Sequence, residues 1–482
     1  MRVLEQLEPK NVLSFFEDLC AIPHGSGNTK AISDYCVKFA ESRGLEVHQD
    51  GLNNVVIVKP ATPGYEAAPT VIVQGHLDMV AEKTPDSPIN FLTDGLELEV
   101  DGDFIRAKGT TLGGDDGIAV AMALAVLDAK DLAHPRLECL FTIDEETGMD
   151  GAVGFDASIL QGKRLLNIDS EEEGILTVSC AGGAHAAVRI PMTANECALD
   201  SAEIRISGLK GGHSGAEIDK GRANATITLG RVLQALVDEL EVRLVSAEGG
   251  LKDNAIPNAA RAVIALEDGK LPRAQEICAE LQDTFRREYA AADPDVTVTF
   301  TPGTVASQAL TLRDTKKVCC FLGLYPNGIE SMSMDIPGLV QTSCNLGIFK
   351  VNGSGLEGSG SVRSSIASRK QLLLRRIGLL AEGLDGTLCV SGEYPAWEYR
   401  RESHLRDVMC KVYKDQCGQD MKVEAIHAGL ECGLFCGKIP GLDAVSFGPN
   451  LYDIHTTSER MSISSVQRVY AYLCAVLQAL KD

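Results

Sequence analysis

Two histidines and a series of carboxylates recur in this chain at one kind of place, just after a short apolar run. VIVQGHLDMV, residues 71–80, sets His76 and Asp78 two apart at the end of what reads as a buried strand. Side chains two apart on a strand share a face. An imidazole that binds a metal and a carboxylate that orients it would therefore stand together. A solvated surface His and Asp is the plainer alternative, and in isolation the pair favours it. The later segments reverse that preference. GGDDG, 113–117, sets Asp115 and Asp116 before an apolar helix, where helix capping is the competing role. FTIDEETG, 141–148, puts Glu145 and Glu146 after another apolar strand, so that one can face a metal and the other a substrate. LLNIDSEEEG places Asp169 after a third strand, and FGPNLYDIHTTSER places His455 in a loop with Glu459 four residues on.

Such a set needs no thiolate. Nitrogen and oxygen ligands suit an open, catalytic zinc or manganese site rather than a closed structural one. Five ligands exceed what one tetrahedral ion takes. They suit two ions sharing a carboxylate, which can polarise a carbonyl and hold a hydroxide between them. A remaining glutamate is then a natural general base.

The elements that must position these residues alternate between strand and helix up to about residue 180. A helix is expected over 31–43, stopping at Gly44, and a strand over 47–58. Further buried strands are expected at 71–73, 137–143 and 165–168, with a Gly-rich turn and apolar helix over 109–130. This alternation predicts an α/β sheet covered on both faces, and such sheets keep their sites at the carboxyl ends of the strands. Near residue 185 the pattern turns to α+β, with strands at 203–209 and 261–266 and helices at 223–240 and 274–291; a similar succession follows near 318–391. After about residue 400 the first pattern returns. The expected architecture is α/β. A discontinuous catalytic domain with a mixed, largely parallel sheet covered by helices (1–184 and 400–482) is interrupted by an inserted α+β lid domain (185–399), readable as two similar halves.

Composition bounds the function classes. A chain of 482 residues, 45% hydrophobic and 23% charged, is that of a soluble globular protein with more than one domain. A net charge of −22 argues against nucleic acid and against an anionic membrane surface. No run of apolar residues is long enough to span a bilayer. The first 20 residues read as an amphipathic helix rather than a signal segment. The 15 cysteines are scattered, odd in number and mostly in apolar runs, as for buried thiols of a reducing compartment. Cys432 and Cys436 in ECGLFC lack a second Cys/His pair, so they make a weak zinc site. A cytoplasmic location is expected.

The succession His-x-Asp, GGDDG, Asp-Glu-Glu-Thr-Gly, Asn-Ile-Asp-Ser and a late His resembles the di-zinc exopeptidase superfamily that includes carnosinases and aminoacylases. The resemblance covers nearly the whole chain and is strongest to the dipeptidase members. It implies His76 and Asp169 on one zinc, Glu146 and His455 on the other, and Asp115 as the bridge, with Asp116 also on offer. Asp78 would orient His76, and Glu145 would take the proton of the water held between the metals. His213 in LKGGHSG resembles the family's lid histidine, which steadies the oxyanion. Asn254 in DNAIPN and Arg363 in GSVRSS resemble positions that bind the substrate's terminal carboxylate. Apart from the resemblance, these three read as turn or strand-edge residues. The implied activity is hydrolysis of dipeptides with a free C-terminal carboxylate, including Xaa-His and β-alanyl-histidine (carnosine). The implied cofactors are two Zn2+ ions, with Mn2+ or Co2+ able to replace them. An N-acyl amino acid amidohydrolase and a non-catalytic metal-binding relative are the alternatives. Small dipeptides are the expected partners, and the motif allows a homodimer as well as a monomer. His427 and Glu431, in IHAGLECG, can line the pocket or belong to the core.

Overall fold

In the computed structural model, which describes residues 2–481, the apolar runs before the candidate residues become neighbouring strands of one sheet. Its eight strands are β1 (Glu46–Gln49), β2 (Val55–Lys59), β3 (Val71–His76), β4 (Leu137–Thr142), β5 (Arg164–Asn167), β6 (Ile175–Cys180), β7 (Lys422–Ile426) and β8 (Asp443–Ser446). Their spatial order is β1-β2-β4-β3-β5-β8-β6-β7. The four central strands β4, β3, β5 and β8 run parallel, while β2 and β6 join them antiparallel. Every residue of β3 and β4 is buried, as expected where both faces are covered. The sheet is therefore mixed and largely parallel, as the sequence pattern predicts.

Register levels the strand ends. His76 lies beside Thr142 and Gln74 beside Asn167, so β3, β4 and β5 release their chains on one side of the sheet at nearly one height. The helix α1 (Gly114–Asp128) is buried almost all round, which is the behaviour of a helix without a polar face. It approaches β3 very closely. A Cβ on Gly75 would stand 2.6 Å from both Ala119 Cβ and Asp116 Oδ2, so only glycine lets the helix bring Asp116 against the strand.

One expected element divides. The stretch 47–58 is two antiparallel strands, β1 and β2, around a turn. The Asp50 carboxylate accepts from the backbone N–H of Leu52 and of Asn54, both at 2.9 Å, and Asn53 takes a left-handed φ of +83°. Asp-Gly-Leu-Asn is turn chemistry, hidden within a run of apolar neighbours.

The chain divides into two compact units: Met1–Ser179 with Tyr399–Ala425 and Leu430–Asp482, and Cys180–Glu398 with Ile426–Gly429. The second is built on a ten-stranded sheet in which Gly182–Pro191, Ala194–Ser207, Val340–Asn352 and Gly355–Ser364 are long antiparallel strands. Helices Ala225–Glu239, Leu271–Glu288, Leu312–Leu324 and Ala367–Gly383 share one apolar core with it. No helix among the described residues is long and apolar enough to cross a membrane.

Gly75→Ala is expected to destabilise the fold by ~1–3 kcal/mol, the usual range for overpacking. Urea unfolding would report this as a lower midpoint.

Candidate metal centre

At the end of β3 the buried His76 ring is held from both edges. Its Nδ1 lies 3.0 Å from the carbonyl oxygen of Asp78 and 3.4 Å from Asp78 Oδ1. Nδ1 therefore carries the proton, and the Nε2 lone pair faces Asp115 Oδ1 at 3.1 Å and Asp169 Oδ1 at 3.6 Å. Three acceptors then confront one another, and only a cation or an added proton satisfies them. A second group adjoins the first. His455 Nε2 stands 3.0 Å from Glu146 and 3.3 Å from Asp115 Oδ2. Asp115 thus turns one oxygen to each imidazole. Asp116, joined to it by a cis peptide, instead accepts the backbone N–H of His76 at 3.2 Å. His76, Asp115 and Glu146 bring ligand atoms within 4.8 Å of one another, as do His76, Asp116 and Asp169.

The charges explain what such a cluster accepts. Burial opposes a charge on His76, yet Asp115, Asp169 and Asp78 hold its pKa well above the ordinary imidazole value. Asp115 and Glu146 push His455 up to about 10. Burial, against the pull of His76, raises Asp169 to about 6 and Glu145 to about 9. Buried carboxylates outnumber the imidazoles, and buried charge persists only when it is compensated. Divalent cations supply that compensation. Their preferred ligands are the oxygen and nitrogen atoms gathered here, so the residues fit a metal.

Other carboxylates position these groups. Asp78 accepts from the backbone N–H of Glu145 at 3.0 Å and of Glu146 at 3.4 Å, and from Ser26 Oγ at 2.8 Å. Asp78 thus fixes the His76 ring, chiefly through its carbonyl, and the Glu-Glu turn through its carboxylate. Glu459, which spacing alone had marked, accepts from the N–H groups of Leu112, Gly113 and Gly114 at 2.7, 3.2 and 2.9 Å. It ties the loop of His455 to the turn of Asp115. Its signal is a Gly-Gly pair opening a helix, whose free N–H groups attract a carboxylate; the partner is visible only once the chain is folded. His455 itself holds a left-handed φ of +61°, a conformation non-glycine residues adopt mainly where surroundings enforce it.

The second unit gathers His213, Asn254, Arg363 and His427. Gly212–His213 pairs antiparallel with Ala255–Ile256, and Ser214 N–H donates to the Asn254 carbonyl at 2.9 Å. His213 Nδ1 accepts from the N–H groups of Gly215 and Ala216 at 3.3 and 3.0 Å, which leaves its proton on Nε2. Burial, then Arg363, lowers its pKa and keeps the ring neutral. A Cβ on Gly215 would lie 3.1 Å from both Arg363 Nε and His213 Cε1, so the guanidinium adjoins the histidine loop. Arg363 also donates to Tyr394 OH at 3.0 Å. His427 shares a 2.7 Å hydrogen bond with Ser343, and burial, then Arg363, takes it down to about 3. Glu431 belongs to the first unit.

Residues 72–479 match peptidase family M20/M25/M40, and the chain belongs to that family. Over all 482 residues it is 34% identical to the cytosol non-specific dipeptidase of Escherichia coli, covering 100% of this chain and 99% of that one. The crystal structure of aminoacylhistidine dipeptidase from Vibrio alginolyticus superposes with a TM-score of 0.95 at 36% identity, covering 99% and 98% of the two chains. The aminopeptidase PepT of Bacillus cereus shares the fold alone, at 16% identity and a TM-score of 0.56 over 99% of this chain and 100% of that one.

Glu459→Ala leaves three N–H groups of the Asp115 turn without their acceptor. An unsatisfied buried donor costs about 1–3 kcal/mol, so denaturant unfolding should show at least that loss. Metal analysis should show a lower content.

Proposed function

We propose that the chain is a metal-dependent dipeptidase acting on dipeptides with a free C-terminal carboxylate, Xaa-His and β-alanyl-histidine among them. The observation that carries this is the match over essentially the full length of two dipeptidases, at 34% and 36% identity. The name of the Escherichia coli relative also supports a cytosolic location.

In this scheme His76 and Asp169 hold one divalent cation, Glu146 and His455 a second, and Asp115 is shared. Support for the shared role comes from its two oxygens, each turned to a different imidazole. Zinc suits these ligands, and manganese or cobalt can take the same set. When bound, such a pair polarises the scissile carbonyl and makes water acidic enough to attack it near neutral pH. Glu145 takes the proton of the attacking water and returns it to the leaving amine. Burial, against the pull of His76, raises its affinity for a proton, and the positive charge of bound cations would hold it ionised at rest, ready to take one. Asp78 keeps the Nε2 of His76 turned to the cation and holds the backbone of Glu145 in place. His213, with its proton on Nε2, offers a donor to an oxyanion. Arg363 and Asn254 offer hydrogen bonds to a terminal carboxylate.

Glu145→Gln should keep wild-type metal content while kcat/KM falls by about 10²–10⁴-fold, the usual worth of a general acid–base. Loss of metal instead would make Glu145 a ligand and overturn the assignment. A panel of substrates separates the activities: free dipeptides, carnosine included, should be hydrolysed, and their C-terminal amides and N-acetyl amino acids should not. Turnover of N-acetyl amino acids alone would make the chain an amidohydrolase.

A further inference from the structure

Directly behind the candidate ligands lies a second polar layer. Gln74 shares its face of β3 with His76, and parallel register sets Gln74 beside Asn167 and His76 beside Thr142. Gln74, Thr142 and Asn167 are buried, in strands that are otherwise mostly apolar. Glu431, the first residue of α2 (Glu431–Lys438), enters this layer with 0% of its surface exposed. Its Oε2 accepts from Gln74 Nε2 at 2.5 Å and from Thr142 Oγ1 at 2.8 Å, and Asn167 Nδ2 extends the chain by donating to Gln74 Oε1 at 2.6 Å. Its Oε1 has no hydrogen-bond partner.

Half of a fully buried carboxylate is thus unsatisfied, a costly arrangement for the protein by itself. Burial pushes the Glu431 carboxyl up to about 7, while His76 pulls it down and Asp169 adds to the rise, so its ionisation is tied to the charges of the centre. A glutamine would fill the same space and keep an acceptor for Gln74 and Thr142 without a buried charge, so the charge itself needs a reason. A cation in the layer above supplies one, because it offsets the charge that the metal-free fold must tolerate.

We infer, on the metal centre proposed above, that Glu431 is a positioning residue of that centre: its buried negative charge, held by Gln74 and Thr142 behind His76, strengthens cation binding while destabilising the metal-free fold. The hydrogen bonds draw β3 and β4 together below the ligands, and the charge acts on the cation through the ligand layer. Glu431 touches neither substrate nor reacting atoms.

Glu431→Gln separates charge from shape, since the amide keeps an oxygen for Gln74 and Thr142. In the full chain stripped by chelator, its thermal midpoint should equal or exceed that of the wild type. Its affinity for zinc alone, measured by competition with a chromophoric chelator, should weaken by about 10–100-fold, as for other groups that act on a metal through its ligands. Glu431→Asp keeps the charge and should recover part of that affinity. Wild-type zinc affinity in Glu431→Gln overturns the inference, as does equal weakening in both variants. A metal-free Glu431→Gln that is less stable than the wild type, or too unstable to purify, does so too, because it makes Glu431 an ordinary structural support. His76→Ala is the control for the centre itself: if it binds zinc as the wild type does, the proposed ligands fail, whereas a zinc-deficient His76→Ala beside an unaffected Glu431→Gln removes only the role of Glu431.

Discussion

A concentration of buried negative charge at the ends of parallel strands is the constraint on which the first unit depends. Two ways of holding a carboxylate divide the residues there. Asp78, Asp116 and Glu459 give oxygens to backbone N–H groups, and so serve as internal struts. Asp115, Glu146 and Asp169 turn oxygens to imidazoles instead. Backbone donors are permanent, whereas an imidazole proton can be exchanged for a metal. The struts hold the second group in place, so that like charges stand close together.

The sheet supplies the remaining precision. Parallel register brings three chains out side by side, and the absence of a Cβ at Gly75 lets α1 press Asp116 against the strand that bears His76. The second unit has the opposite chemical character at its candidate residues. There Arg363 and the Nε2–H of His213 are donors, and burial keeps both histidines, 213 and 427, neutral. One unit is suited to cations and the other to anions.

Much of this was legible from residue order. Apolar runs ending in His76, Glu145 and Asp169 mark strand ends, and parallel strands must end together, so their proximity follows from the fold class alone. The choice between Asp115 and Asp116 was not legible, because adjacent residues share composition and spacing, and the direction of each carboxylate depends on where α1 begins. Glu459 stands out in the sequence only by its spacing from His455, and Glu431 only as a pocket or core residue; what each one holds is not legible there. Their partners, the N–H groups at 112–114 and the side chains of Gln74 and Thr142, lie far away in the chain. The turn at Asp50 was missed for a different reason: β-branched residues follow it closely enough to conceal a hairpin within one apparent strand.

The connectivity of the first sheet governs when its chemistry can begin. Strand β8 lies between β5 and β6, and the Glu459 clamp on Gly114 spans 345 residues. A growing chain therefore makes the second unit's strands before it has the middle strand, the second imidazole or the clamp of the first. Contacts this distant in sequence form late. While it is being synthesised the polypeptide carries an incomplete first sheet, which closes only when residues 443–446 thread back between strands made long before.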